Sequence, residues 1–583
     1  MNFIRTGRSS NMKTGVVLAY AISLLAVRPV SAQAAQAAVN SAPSAAVLSA
    51  QSAAAKSDPV LQAMQEELWR NENQLKMEDL ARPYYIEYRL TDFEQFEAAA
   101  EFGAISTNQH ARVRVLRVVV RVGDYKQDSY FGRTGQGITV TAPIETDVFS
   151  LRHALWLATD EAYKQAGESL AAKQALLKEM TPSEPVDDFA RAQPLVELDP
   201  PAKIDANEDR IVHMLKAASG IYTEDPEVQL MSASARFVAV NDYFINTEGS
   251  ITRHGKAFYN MSLGGTTQAK DGMRLDRTPT FVYGTSAEIP TEAKFVGEAQ
   301  QVMATLKQLR DAPVVDEEYR GPVLLSPDAS TDVLATLIGE NAAGRKPQPG
   351  RGGRTVGSFA SFYKTRVLPP FVTVVDDPTQ TTFHGQSLTG SYKFDDDAVR
   401  VAPLTVIDKG QLVNYLMGRQ PIADFPASNG HDRAQPGGAP IPNFGVLILT
   451  GTEAETPAQL KQKLIDMCKD QGKPFGYRVE TFGGITSPRL LYRVWANDGH
   501  EELVRGATLN ELDVRGLRND LIAVGNDQYV SNRTGNLPET VISPSMLFDE
   551  LEIRRDDRAK SKLPEYPAPP ISAAAAGASK SSN

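Results

Sequence analysis

At 583 residues the chain is too long for one small core, and length alone points to about two to four domains. Its 42% apolar and 23% charged residues are ordinary for a folded protein, while a formal net charge of -10 counts against nucleic-acid binding, which needs a basic face. The lone Cys468 excludes an intramolecular disulfide and any cysteine-rich metal site.

In chain order, Arg5, Arg8 and Lys13 precede an apolar run over residues 15–27, and Val30-Ser31-Ala32 supplies small residues for cleavage. This is the layout of a secretory signal over residues 1–32, with Met12 as an alternative start. The run is shorter than the ~18 residues needed to span a bilayer. Export to the periplasm or the extracellular space is therefore expected. Residues 33–57, rich in Ala, Ser and Gln, read as a flexible leader.

Val60, Met64, Leu68 and Leu75 keep helical spacing and predict an opening helix. Residues 84–90 read as a strand, and 113–122 as a second one whose alternation changes phase near Leu116, predicting a bulge. A long helix is expected over 147–180, with Phe149, Leu151, Leu155, Ala162, Ala166 and Leu170 among its apolar positions. Asp199-Pro200-Pro201-Ala202 reads as a linker.

A second α/β round opens near Asn207, with strands at 237–246 and 250–263 joined across Thr247-Glu248-Gly249 and a helix at 291–310. Further on, Thr456-Pro457-Ala458-Gln459 is a capping box opening a helix that Gly472 ends. Leu460, Leu464, Met467 and Cys468 share its apolar face, so Cys468 reads as a core thiol. The expected fold class is α+β: a mixed α/β domain over 58–320, a strand-rich domain over 321–560, and a disordered tail over 561–583.

Local motifs for chemistry are sparse. The seven histidines, His110, His153, His213, His254, His384, His431 and His500, lie dozens of residues apart, so no two can share one helical turn around a zinc ion. There is no Gly-x-Ser-x-Gly elbow, and Gly350-Arg-Gly-Gly-Arg354 lacks the Lys-Ser/Thr of a phosphate loop and reads as a mobile loop. Asp376-Asp377 and Asp395-Asp396-Asp397 lack the alternating order of a calcium loop and read as solvated turns.

Several segments of the second half occur together in a familiar order. They are Tyr319-Arg-Gly-Pro-Val-Leu-Leu, Val374-Val-Asp-Asp-Pro-Thr379, Gly390-Ser-Tyr-Lys-Phe-Asp-Asp-Asp397 and Val406-Ile-Asp-Lys-Gly-Gln-Leu-Val-Asn-Tyr-Leu416. Ser428-Asn-Gly-His-Asp-Arg-Ala434, Pro440-Ile-Pro-Asn443, Gly506-Ala-Thr508 and Ser543-Pro-Ser-Met-Leu-Phe548 follow, with Asn246-Thr-Glu-Gly249 as a weaker match upstream. In these the chain resembles the TldD/PmbA metallopeptidase-like family. The resemblance implies a two-domain architecture in which active members carry His-Glu-x-x-x-His on a helix, hold zinc with those histidines, and add a cysteine late in the domain.

The stretch that matches that motif is Leu337-Ile-Gly-Glu-Asn-Ala-Ala-Gly344, where only Glu340 agrees and Gly339 and Gly344 stand in the ligand places. Cys468 falls too early, inside a helix, to take the third place. The resemblance is therefore closer to members without the zinc motif, which pair with an active subunit to enclose extended peptides. It implies no cofactor of the chain's own, zinc only in an active TldD-like partner, a dimer, and unfolded peptide as the molecule handled. It also implies that Asn429, His431 and Arg433 line the peptide cavity. Two other readings stay open: a stand-alone peptide-binding or envelope-interaction protein, and a peptidase whose metal site is dispersed.

Overall fold

The computed structural model describes residue 53 and residues 55–556, apart from 132–136, 180–185, 349–352, 511 and 536. The expected signal, nearly all of the leader, most of the 350–354 loop and the tail lie outside the described residues. The end of the leader, residues 55–57, is helical rather than loose, and Ala55 is buried.

Two long hairpins make the first half. β1 (Pro83–Glu101) turns at Phe102 and Gly103, both at positive φ as a tight hairpin requires, into β2 (Ala104–Val122). After β3 (Ile138–Ala142) and β4 (Val196–Leu198), β5 (Val228–Asn246) returns through the Thr247–Gly249 turn into β6 (Ile251–Gln268). β7 (Arg274–Arg277) and β8 (Thr280–Tyr283) pair onto β6, and the sheet runs β3-β2-β1-β5-β6-β4.

Four helices cover this sheet. α1 (Pro59–Gln74) starts at Asp58, whose carboxylate accepts from the amides of Val60 and Leu61. It packs with α2 (Val148–Glu179) over Ile86, Tyr88, Leu116, Val118 and Val120. α3 (Glu208–Gly220) and α4 (Glu292–Asp311), capped by Asn207 and Thr291, pack over the far end of the strands. Within α2, Leu151, Leu155, Ala162 and Ala166 are buried as expected, but Phe149 points the other way. No helix among the described residues is long and apolar enough to cross a membrane.

The bulge expected near Leu116 is absent: β1 and β2 pair in unbroken register from Tyr85–Arg121 to Ala99–Thr107. The pattern changes there because burial becomes two-sided. From Leu116 to Val122 every β2 residue is buried, with Leu116, Val118 and Val120 under α2 and Arg117 and Arg121 turned toward the second half. The expected linker at Asp199–Ala202 is likewise strapped down, by Arg253, His254 and Lys393 on Asp199 and by Asn241 on Ala202.

Beside two small two-stranded sheets, two large sheets of the second half lie around a large apolar core. One runs in the order Gln411–Leu412, Leu404–Asp408, Val372–Asp376, Val446–Gly451, Pro538–Ser543, Tyr529–Thr534. The other is centred on Tyr319–Leu325 between Phe475–Phe482 and Met546–Arg555. From Tyr319–Leu325 the chain enters α5 (Pro327–Val333), where Ser326 caps and Pro327 opens the first turn, and continues as a π-helical turn, Leu334–Gly339. α6 (Pro457–Asp470) has the full Thr456–Gln459 capping box and buries Cys468, whose thiol is pushed up to about 11 by that burial.

Charged side chains join the two halves. The Arg89 guanidinium donates to the Asp396 carbonyl and the Asp397 carboxylate, and Arg419 donates to the Ala190 carbonyl, the Tyr85 hydroxyl and Glu248. Lys256 of β6 donates to the carbonyls of Thr389 and Ser391.

Candidate functional site

The helix that begins at α5 and ends in the π turn occupies the place where the resemblance puts a metal motif. Its two glycines are enclosed. A Cβ added at Gly339 would stand 2.5 and 2.6 Å from the Phe444 ring and 3.2 Å from Leu447. At Gly344 it would stand 2.3 Å from the Met417 sulfur and 3.2 Å from both Ile422 and the Leu416 carbonyl. The helix also stops at Ala342; Ala343 then bridges Leu416, and the Gly344 amide donates to the Leu416 carbonyl at 2.8 Å. Residues 339 and 344 therefore lack both the room and the shared helical face that two imidazoles on one metal need. The residues present do not fit zinc at this position.

Glu340 is exposed at the end of the helix. The Glu539 carboxyl is held above the usual range by burial, with a smaller push from Glu340. Asn443 donates to Glu539 at 2.7 Å.

Asn429, His431 and Arg433 do come together, His431 and Arg433 buried and Asn429 half-buried, each with bonds inside the chain. His431 is fully buried, with Nδ1 2.9 and 2.8 Å from the backbone and side-chain oxygens of Asn429. Its Nε2 lies 3.1 Å from Asp376 Oδ2, a charge contact off the line of a good hydrogen bond. The Asn429 side chain accepts from the Met417 amide at 2.8 Å and donates to the Tyr415 carbonyl at 2.8 Å. Arg433 lies over the Tyr392 ring, 4.4 Å from its centroid, and reaches the Pro538 carbonyl. Asn429 and His431 hold the loop that covers Gly344, the His431 amide donating to the Met417 carbonyl, while Arg433 is tied to Tyr392 and Pro538.

The aspartates expected in solvated turns are also structural. Asp376, Asp395 and Asp397 are buried. Asp376 accepts the Gly445 amide, and Asp395 accepts the amides of Asp397, Val399 and Asp432. Burial, reinforced by Asp397, holds the Asp395 carboxyl well above the usual carboxylate range.

An open cleft lies on another side of α5. It has a volume of about 520 Å³ and is bounded by β7 and β8, by α5, and by Tyr529–Thr534. Asp328 and Asp332, one helical turn apart on α5, line it. Burial and the neighbouring Asp332 hold Asp328 up to about 6. Burial also raises Asp332, against the Arg533 guanidinium that donates to it at 2.8 Å. Phe281, Tyr283, Phe482 and Tyr529 supply apolar wall. Among the described residues β8 pairs only with β6, and Tyr529–Thr534 only with Pro538–Ser543; Asn532 bridges the two strands, donating to the Val282 carbonyl. The cleft thus combines aromatic walls with side chains of both signs, Arg277 and Arg489 lying in it beside Asp276, Asp328 and Asp332. The acid pair at i, i+4 was visible in the sequence; its place in a cleft was not, because the opposite walls come some fifty residues before and two hundred after it.

Among the described residues no group of three or more His, Cys, Asp or Glu is placed to hold a metal ion.

Residues 318–555 match the PmbA/TldA metallopeptidase C-terminal domain. A metalloprotease of Archaeoglobus fulgidus is 28% identical over 127 residues, which is 22% of this chain and 26% of that protein, about a quarter of its length. Three solved structures share the fold. A putative modulator of DNA gyrase from Thermotoga maritima has a TM-score of 0.55 at 14% identity, over 84% of this chain and 100% of that one. TldE from Thermococcus kodakarensis has a TM-score of 0.55 at 13% identity, over 84% and 99%. A putative modulator of DNA gyrase from Bacteroides thetaiotaomicron has a TM-score of 0.54 at 12% identity, over 86% and 100%.

Proposed function

Since the chain belongs to the PmbA/TldD family, we propose that it is an exported, TldE-like subunit without a zinc site of its own, which presents unfolded or extended peptides to an active homologue. The observation that carries this reading is the enclosure of Gly339 and Gly344 by Phe444 and Met417. Cleavage is assigned to the partner, and this chain's part is binding. The aromatic walls of the cleft would take an extended peptide whatever its sequence, and Asp328 and Asp332 would favour a cationic group on it. The charged, apolar and small-residue segment over 1–32 supports export to the periplasm or beyond. A net charge of -10 favours peptide over DNA as the bound molecule.

The test incubates an unstructured peptide with this chain, with a homologue from the same organism carrying His-Glu-x-x-x-His, and with both. Cutting by the mixture that exceeds that by the homologue alone supports the proposal. Chelator-resistant cutting by this chain alone would refute the non-catalytic part, and full activity of the homologue alone would refute the partner part. Amino-terminal sequencing of the mature protein tests export: it should begin at or near Gln33, and a retained Met1 or Met12 would rule export out.

A further inference from the structure

The outer face of the α1–α2 pair exposes more aromatic surface than a folded chain leaves bare without cause. Two of the three tryptophans are exposed, Trp69 by 64% and Trp156 by 42%, beside Phe149 at 78% and Leu157 at 52%. Phe149, Trp156 and Leu157 recur at i, i+7 and i+8 of α2 and so form one stripe. Trp69 joins it from α1. Arg152 of α2 reaches Glu66 of α1 at 2.8 Å, while Tyr88 bonds both Asn71 of α1 and Thr159 of α2. These two ties bracket Trp69 on one helix and Trp156 on the other, which puts the two indoles at the same level of the pair. Exposed aromatic side chains gathered on one helix pair point to an interface, and tryptophans are among the residues that dominate binding energy in one.

The fringe of the stripe identifies the occupant. Arg152 is paired with Glu66 and Lys164 with Asp160 at 2.6 Å, and His153 lies against the Trp156 ring. Glu72, Glu145, Asp147 and Glu161 are exposed and form no ion pair among the described residues. A second copy of this chain would set acid against acid across a two-fold axis, and an anionic membrane would be repelled for the same reason. A partner whose apolar groove is rimmed by lysine and arginine is complementary.

We propose that the Trp69–Phe149–Trp156 face is the surface on which the partner subunit docks, and that this partner offers a basic-rimmed apolar groove. The proposal rests on the subunit reading above and adds the place and chemistry of the contact.

Binding of the purified His-Glu-x-x-x-His homologue is measured by calorimetry against the wild-type chain, a Phe149→Ser/Trp156→Ser variant and a Glu145→Lys/Glu161→Lys variant, with melting curves to confirm folding. These side chains are exposed, so the variants should melt with the wild type. The aromatic variant should bind at least about thirtyfold more weakly. The charge variant should lose affinity at low salt, and its deficit should shrink as salt rises. Undiminished binding by both variants would overturn the docking surface while leaving the partner reading intact. No binding by the wild type would overturn both. Self-association abolished in the aromatic variant, or flotation of the wild type with phosphatidylglycerol vesicles, would show that another occupant uses this face and overturn the proposal.

Discussion

Gly344 and Met417 are packed so closely that a methyl group on residue 344 would stand 2.3 Å from the Met417 sulfur. The contact is held from both sides, because the Gly344 amide donates to the Leu416 carbonyl and Asn429 accepts from the Met417 amide. The residue that distinguishes this chain from a zinc-binding relative by resemblance is thus also a packing residue.

Gly344→His should therefore cost stability without creating a metal site. Overpacking a tight interior typically costs about 1–3 kcal/mol. Urea unfolding should show a lowered midpoint, and elemental analysis of the variant should show no gain of zinc. A variant that keeps full stability and binds one zinc per chain would contradict the packing argument.

Asp376 and His431 are both fully buried, and Asp376 also receives the Gly445 amide. Asp376→Ala leaves the buried Gly445 amide without its acceptor, and an unsatisfied buried donor typically costs about 1–3 kcal/mol. The expected result is a large drop in the urea midpoint. A change no greater than that of an exposed-site control would mean the pair contributes little.

Lys256 is enclosed between the two halves, and burial, with Arg433 adding to it, pulls its ammonium down to about 7. Between about pH 7 and its ordinary value the unfolded chain holds a proton at this residue that the folded chain has released. Stability linked to Lys256 therefore rises with pH across that window. Unfolding midpoints of the wild type and Lys256→Met, compared from pH 6.5 to 10, should diverge in favour of the wild type as pH rises. Parallel curves would show that Lys256 keeps its proton.

Asp328 titrates near 6 in the cleft, so its charge develops as pH passes through that value. An unstructured lysine-containing peptide should bind more tightly at pH 7.5 than at pH 5, and Asp328→Asn should flatten the difference. Peptide affinity that is indifferent both to pH and to this substitution would place peptide binding elsewhere. The same raised value makes Asp328 a group whose stabilising contribution, full at low pH, is lost as pH rises toward and through 6. Unfolding midpoints of the variant against the wild type check that sign.

Much of the secondary structure was legible from local patterns. Helical spacing located α1, α2 and α4, the Thr456–Gln459 capping box located α6, and the Thr247–Gly249 turn located the β5–β6 hairpin, because capping and periodicity act within a turn or two of chain. The reading of Leu116 failed for a tertiary reason: a strand buried on both faces loses the alternation that a one-sided strand shows. The aspartates failed likewise, since an Asp-rich turn looks solvated until another segment closes over it. By itself the sequence determined that His-Glu-x-x-x-His is absent, that Cys468 sits on the buried face of a capped helix, and that the amino terminus has the layout of an export signal. Only the tertiary structure decided that Asn429 and His431 bond the Tyr415–Met417 segment, that Gly339 and Gly344 are sealed by Phe444 and Met417, and that Phe149 and Trp156 face outward. Those outcomes depend on contacts between residues tens to hundreds of positions apart, which no local spacing encodes.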